Sequence, residues 1–174
     1  VPYNLSTEIL LGLLDAPPTA WRRACLLLQW EFAMRAAAAP GTRQCSSLSA
    51  QVALLTHATV AFEVPREAFH PAPKIESAVL VLERRDDLAV DVGDRRVFRQ
   101  VVRALFAQRR KMARKALKPL CADAEGLLTA AGVDPMARGE TLDLEALARV
   151  ARTLIEWRAA QGAAPEVDPT APPA

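Results

Sequence analysis

The chain is short of the residues that build several common catalytic and binding sites. It holds two histidines and three cysteines in 174 residues. Cys25, Cys45 and Cys121 are far apart, form no C-x-x-C pair and have only His57 and His70 as further nitrogen ligands, so no metal site is expected. They read instead as free thiols, buried or half-buried in a reducing compartment. Seven glycines occur, and none stands in a G-x-x-x-x-G-K-[ST] or G-x-G-x-x-G arrangement, so the chain carries no phosphate-cradling loop. A G-x-S-x-G elbow is absent, and neither histidine has a Ser/His/Asp setting, which argues against nucleophilic hydrolysis. The longest apolar runs, Ala24 to Leu28 and Ser77 to Leu82, are far below the ~20 residues that span a bilayer. With no charged-then-apolar region at the start, the expectation is a soluble, cytoplasmic protein with no membrane partner.

What is present is an ordinary globular composition with an uneven charge distribution. Apolar residues make up 51% and charged residues 24%, enough to bury a core in one domain plus part of another. The net charge is only +2, but ten basic residues and no acidic one fall between Arg95 and Lys118. The rest of the chain holds twelve basic residues against twenty acidic ones. Such segregation points to a face built for a polyanion on an otherwise acidic body.

The element pattern changes once along the chain. Ser6 or Thr7 is expected to cap a helix through Ile9, Leu10, Leu13 and Leu14, closed by Asp15-Ala16-Pro17-Pro18. Arg23 to Leu28 reads as a strand covered on both faces, because its apolar run is continuous rather than alternating. Helices over Trp30 to Ala39 and Ser47 to Ala58 and strands over Thr59 to Val64 and Ser77 to Glu83 follow. After a polar linker at Asp86 to Asp94, everything has helical period: Phe98, Val101, Val102, Leu105 and Phe106, then Met112 to Leu120, Ala124 to Ala131 and Leu144 to Trp157. The residues from Gly162 hold four prolines and no apolar period, and read as a disordered tail over 161–174. The fold class is therefore α/β with a parallel or mixed sheet over 1–85, a linker over 86–94 and a small all-helical domain over 95–160.

Two aromatic-proline loops carry the chemistry. Pro2-Tyr3-Asn4 belongs at the carboxyl end of a strand, the edge where open α/β sheets bind ligands. Phe69-His70-Pro71-Ala72-Pro73-Lys74 follows the strand ending at Val64; its prolines stiffen the loop while Phe69 offers a stacking face and Lys74 a positive charge. An aromatic on a stiffened backbone suits the holding of an unstacked base. Core packing of Tyr3 and Phe69 is the plainer alternative.

These loops carry a resemblance. Pro2-Tyr3-Asn4-Leu5-Ser6-Thr7 resembles the N-L-P-Y-N-[IV]-[ST]-[ST] stretch of the ribosomal RNA adenine dimethyltransferases, and the segment Phe69 to Val79 is similar to their F-x-P-x-P-K-[VI]-[DE]-S-[AS]-V. Gln29 with Glu31-Phe32-Ala33, then Pro40-Gly41 and Leu48-Ser49, keep the order of their Q-x-E-[FV]-A…P-G…L-[ST]. Phe106 to Lys111 matches F-x-x-R-R-K, and Gly132-Val133-Asp134-Pro135 with Arg138 and Glu140-Thr141-Leu142 matches G-[LV]-x-P-x-x-R-[AP]-E-x-L. Trp30 departs from the pattern, standing where the family usually has Lys or Arg, and Ser46-Ser47 replace a frequent Gly-Arg pair. Altered RNA contacts are the expected consequence.

The resemblance implies the C-terminal half of a Rossmann-like methyltransferase sheet, mixed with its last strand antiparallel, followed by the helical domain. It implies transfer of methyl groups from S-adenosyl-L-methionine to adenines of small-subunit ribosomal RNA, giving N6,N6-dimethyladenine during ribosome biogenesis. Val1, Pro2, Tyr3 and Phe69 would be the catalytic residues: backbone carbonyls at Val1 and Pro2 orient the amino group and lie against the cofactor, while Tyr3 and Phe69 wall the base. Lys74, Arg103, Arg109, Arg110, Lys111, Arg114 and Lys115 would contact RNA. The partner is ribosomal RNA or a small-subunit precursor, met by a monomer. The family's glycine-rich cofactor loop is not in this sequence, so a fragment that binds cofactor weakly and is inactive alone is expected. The alternatives are a large-subunit methylase of the macrolide-resistance type and a noncatalytic RNA-binding assembly or transcription factor.

Overall fold

Three segments pair into one sheet: β-branched residues favour extended backbone in two of them, and the third, RACLLLQ, is held extended by its pairing. The computed structural model describes residues 3–108 and 110–162. The chain divides into two compact units, 1–89 and 90–174.

In the first unit, β1 (Arg23–Gln29), β2 (Thr56–Val64) and β3 (Ser77–Arg84) form a sheet of order β1-β3-β2. Strand β3 is antiparallel to both neighbours, so β1 and β2 run the same way. Leu26 and Val60 flank Leu80, and Ala24 and Ala58 flank Leu82. Ala78, Leu80 and Leu82 are fully buried, each leucine worth about 2 kcal/mol of burial. Helices α1 (Ser6–Asp15), α2 (Trp30–Ala36) and α3 (Ser47–Leu55) supply Leu10, Leu14, Phe32, Ala33, Val52 and Leu54 to this core.

The opposite face of the sheet corrects one expectation. Cys25, Leu27, Val79 and Val81 are half-buried or exposed, and Phe62, placed after a bulge between Val60 and Phe62, is 60% exposed. The continuous apolar run of β1 therefore has one buried face and one open face among the described residues. Cys45 and Cys121 are buried free thiols, whereas Cys25 lies exposed on the open face.

Element boundaries shift for local reasons. Ser6 does not cap α1; it sits in the first turn, buried, with no partner for its Oγ, and Leu5 holds the cap position. Helix α2 stops at Ala36 rather than Ala39, because Pro40 disfavours helical backbone at the residue before it. Helix α3 stops at Leu55 because Thr56 pairs with Arg84 of β3, strand pairing overriding the propensity of the alanine that follows. Its start is held by a capping box in which Ser46 and Ser49 exchange hydrogen bonds at 3.2 and 3.0 Å.

The second unit is helical: α4 (Arg95–Ala107), α5 (Ala113–Ala116), α6 (Ala124–Ala130) and α7 (Leu144–Ala160). Asp94, Asp123 and Asp143 cap α4, α6 and α7 by accepting from backbone N–H groups at 2.6 to 3.2 Å. The buried stripe of α4, Val97, Phe98, Val101, Val102 and Leu105, packs on α7. Only four residues of the expected Met112 to Leu120 helix are helical, because Met112 bridges to Arg138 and Pro119 follows closely. Gln161 and Gly162 close α7, and the expected tail from 163 onward lies outside the described residues.

Two glycines give opposite predictions. A Cβ at Gly139 would stand 2.8 Å from the Leu105 carbonyl oxygen, whereas one at Gly12 meets nothing within 4 Å. Gly139→Ala should destabilise the second unit by about 1–3 kcal/mol. Gly12→Ala, inside α1, should stabilise by up to about 1 kcal/mol, both read by chemical denaturation.

Candidate functional site

Because β1 and β2 run the same way, their carboxyl ends, Gln29 and Val64, lie at one edge of the sheet, where β3 begins at Ser77. The loop of residues 65–76 crosses this edge and carries Phe69 and Lys74. Its first part is a short turn at Arg66–Ala68, where Ala68 N donates to Pro65 O and Phe69 N to Arg66 O. A cis peptide joins His70 to Pro71. The Arg66 N–H donates to Glu76 Oε2 at 2.8 Å, closing the loop between its own ends. A hydrogen bond from Arg66 at 2.9 Å holds the Glu67 carboxyl below its ordinary range, and the same bond raises the Arg66 guanidinium above its own.

Trp30, the first residue of α2, fastens this loop. Its backbone N–H donates to Glu76 O at 3.0 Å and its indole N–H donates to Glu63 Oε1 at 2.6 Å. One residue just after β1 thus bonds to Glu63 before the loop and to Glu76 at its end. Sequence reading noticed Trp30 only as a departure and missed Glu63 and Glu76.

The structure places the expected residues as follows. Phe69 is half-buried and Lys74 exposed on the loop at the carboxyl edge. The backbone of Tyr3 opens a short 3-10 turn ahead of α1. Val1, Pro2 and Arg109 lie outside the described residues. In the helical unit, Arg103 is exposed on α4, Arg110 and Lys111 are exposed in the turn after it, and Lys115 is exposed on α5. Arg114 differs: it is half-buried and paired with Glu125 at 3.1 Å.

The basic turn is anchored. Lys111 N donates to Gln108 O, Ala113 N to Ala137 O and Arg114 N to Pro135 O, and Met112 pairs with Arg138 as an isolated bridge. Gly139 lies against the Leu105 backbone. The two helical-region motifs of the sequence, 106–111 and 132–142, are therefore one structural feature.

The carboxylates of the carboxyl edge are engaged. Glu63 and Glu76 already accept from Trp30 and Arg66, and the chain has no glycine-rich turn for an adenosyl group.

Trp30→Phe should remove the indole bond while keeping the ring. Amide exchange over residues 66–76 should rise several-fold, with global stability changed by less than about 1 kcal/mol because the bond is exposed. Unchanged exchange would show that the loop is held without Trp30.

Comparison with known proteins agrees with this geometry. The ribosomal RNA adenine dimethylase family model matches residues 1–156. The chain is 42% identical to a ribosomal RNA small subunit methyltransferase A from Magnetococcus marinus, over 88% of this chain and 54% of that protein. It is 41% identical to its counterpart from Cutibacterium acnes, over 90% of this chain and 54% of that protein. The chain thus spans about half the length of these curated relatives. In fold it is similar to a dimethyladenosine transferase from Plasmodium falciparum (TM-score 0.70, 21% identity, 94% of this chain and 66% of that one). It is also similar in fold to the 23S rRNA methyltransferase ErmE (TM-score 0.62, 24% identity, 89% of this chain and 63% of that one). The α/β architecture with its last strand antiparallel is therefore that of ribosomal RNA methyltransferases, and the chain belongs to the ribosomal RNA adenine dimethylase family.

Proposed function

We propose that the chain supplies the base-holding and RNA-binding part of an enzyme that dimethylates adenines of small-subunit ribosomal RNA during ribosome assembly, with S-adenosyl-L-methionine as methyl donor. The observation that carries this reading is the clamped Phe69 loop at the carboxyl edge of the sheet in a member of this family. The names of the curated relatives favour the small-subunit target over a large-subunit one.

In this reading residues 1–85 form the C-terminal part of the methyltransferase domain, 86–94 a linker and 95–160 an RNA-binding domain. Phe69 is one wall of the base pocket and Tyr3 the other. Carbonyl oxygens at Val1 and Pro2 accept from the exocyclic amino group and turn its lone pair toward the methyl donor. Orientation of that kind replaces a strong general base. Holding the cofactor falls largely to residues other than those described. Lys74, Arg103, Arg109, Arg110 and Lys111 meet the phosphate backbone, so that the RNA is recognised largely by shape. The protein works as a cytoplasmic monomer on a small-subunit precursor.

Stacking makes the base pocket testable with a fluorescent adenine analogue at the target position of an RNA hairpin. Wild-type protein should quench it on binding. Phe69→Ala should weaken that stacking by about 1–3 kcal/mol, read as loss of quenching with overall RNA affinity less affected. Full quenching by the variant would remove Phe69 from the pocket.

A further inference from the structure

The helical unit holds a concave site outside the base pocket. A cleft of about 300 Å³ between α5 and α6 is lined by Arg114, Lys115, Lys118, Asp123 and Glu125, with Ala122 and Ala124 as its only apolar walls. Three cations thus meet two carboxylates, and both carboxylates are engaged. Asp123 Oδ1 accepts from Gly126 N at 2.9 Å as the cap of α6, and Glu125 Oε2 accepts from Arg114 Nη1 at 3.1 Å. The cations are less well served. Among the described residues, neither the Lys115 nor the Lys118 side chain has a hydrogen-bond or ion-pair partner, and the Arg114 Nε is buried without an acceptor. Among the described residues, the cleft therefore has hydrogen-bond donors in excess of acceptors.

We propose that this cleft is a phosphate subsite for the RNA backbone, with Glu125 as the internal counter-ion that occupies Arg114 until a phosphodiester displaces it. The inference rests on the RNA partner proposed above. The lining decides the ligand class. No aromatic or large apolar side chain faces the cleft, so it offers nothing to stack on a base or to bury a peptide side chain. A guanidinium beside two ammonium groups matches the oxygens of a phosphodiester in charge and in donor geometry. Such a contact fixes the register of RNA without reading its sequence. Lys118, which sequence reading left out of the site, becomes part of it.

The displacement of Glu125 gives a sign that general basicity does not. Glu125→Gln should tighten binding of a short RNA duplex several-fold at low salt, whereas Glu156→Gln, an exposed neutralisation on α7 that does not line the cleft, should change it much less. Lys115→Gln with Lys118→Gln should weaken binding and flatten the dependence of log affinity on log salt by about 1.4 to 1.8, two phosphate contacts' worth, with thermal stability retained because both lysines are exposed. Binding of the same duplex to a variant with Gln at Arg109, Arg110 and Lys111 serves as the second arm, with an expected flattening of about two units. If that triple variant flattens the slope and the lysine pair does not, the cleft proposal falls while the RNA reading stands. If wild-type protein binds no RNA, or binds polyglutamate more tightly than RNA of equal charge, both fall.

Discussion

The placement of β3 governs the first unit. It returns antiparallel between two strands that run the same way, and its Ala78, Leu80 and Leu82 are fully buried between them. Once β3 is seated, the connection from β2 must cross the carboxyl edge, and the loop of residues 65–76 is delivered there whatever its own preferences. Seating β3 also aligns Gln29 with Ser77, which brings the next residues on either side, Trp30 and Glu76, into hydrogen-bond reach. The burial that stabilises the sheet is thus the same event that positions Phe69. A loop of this length is usually mobile; here two hydrogen bonds from one tryptophan and one from the Arg66 amide hold both ends.

The helical unit solves a different problem, which is to display a dense row of cations on a stable turn. Helix α4 buries Val97, Phe98, Val101, Val102 and Leu105 on one side and exposes Arg96 and Arg103 on the other, so apolar core and basic surface are two sides of one element. After the turn that follows, Ala113 and Arg114 donate backbone hydrogen bonds to Ala137 and Pro135, and Met112 bridges Arg138, which ties this stretch to residues 135–138. Asp94, Asp123 and Asp143, each placed one residue before its helix begins, cap α4, α6 and α7.

Much of this was legible in the sequence, for reasons that can be stated residue by residue. Strands β1 and β3 and helix α4 follow from apolar runs and periods that tertiary contacts reinforce. The Phe69 loop was visible through its prolines, and the family through five motifs in order. The open face of the sheet was not legible, because a continuous apolar run such as Ala24 to Leu28 looks the same with one covered face or two. The Trp30–Glu63 bond joins residues 33 positions apart and depends on strand order, which no local pattern encodes. Arg114 looked like one more exposed cation until α6 brought Glu125 against it, and Lys118 looked like surface until the cleft enclosed it. Ser6 shows the converse error: a good capping residue was buried one position inside the helix because Leu10 and Leu14 fix the helix against the core.

The central claim is that the clamped loop holds an adenine of small-subunit ribosomal RNA for dimethylation. The most direct test is nucleoside analysis by mass spectrometry after the protein encoded by the whole gene, with any coding sequence that precedes Val1, is incubated with unmodified small ribosomal subunits and isotopically labelled S-adenosylmethionine. The account predicts labelled dimethyladenosine in the small-subunit RNA. Tight RNA binding without methylated adenine, or label confined to large-subunit RNA, would contradict it.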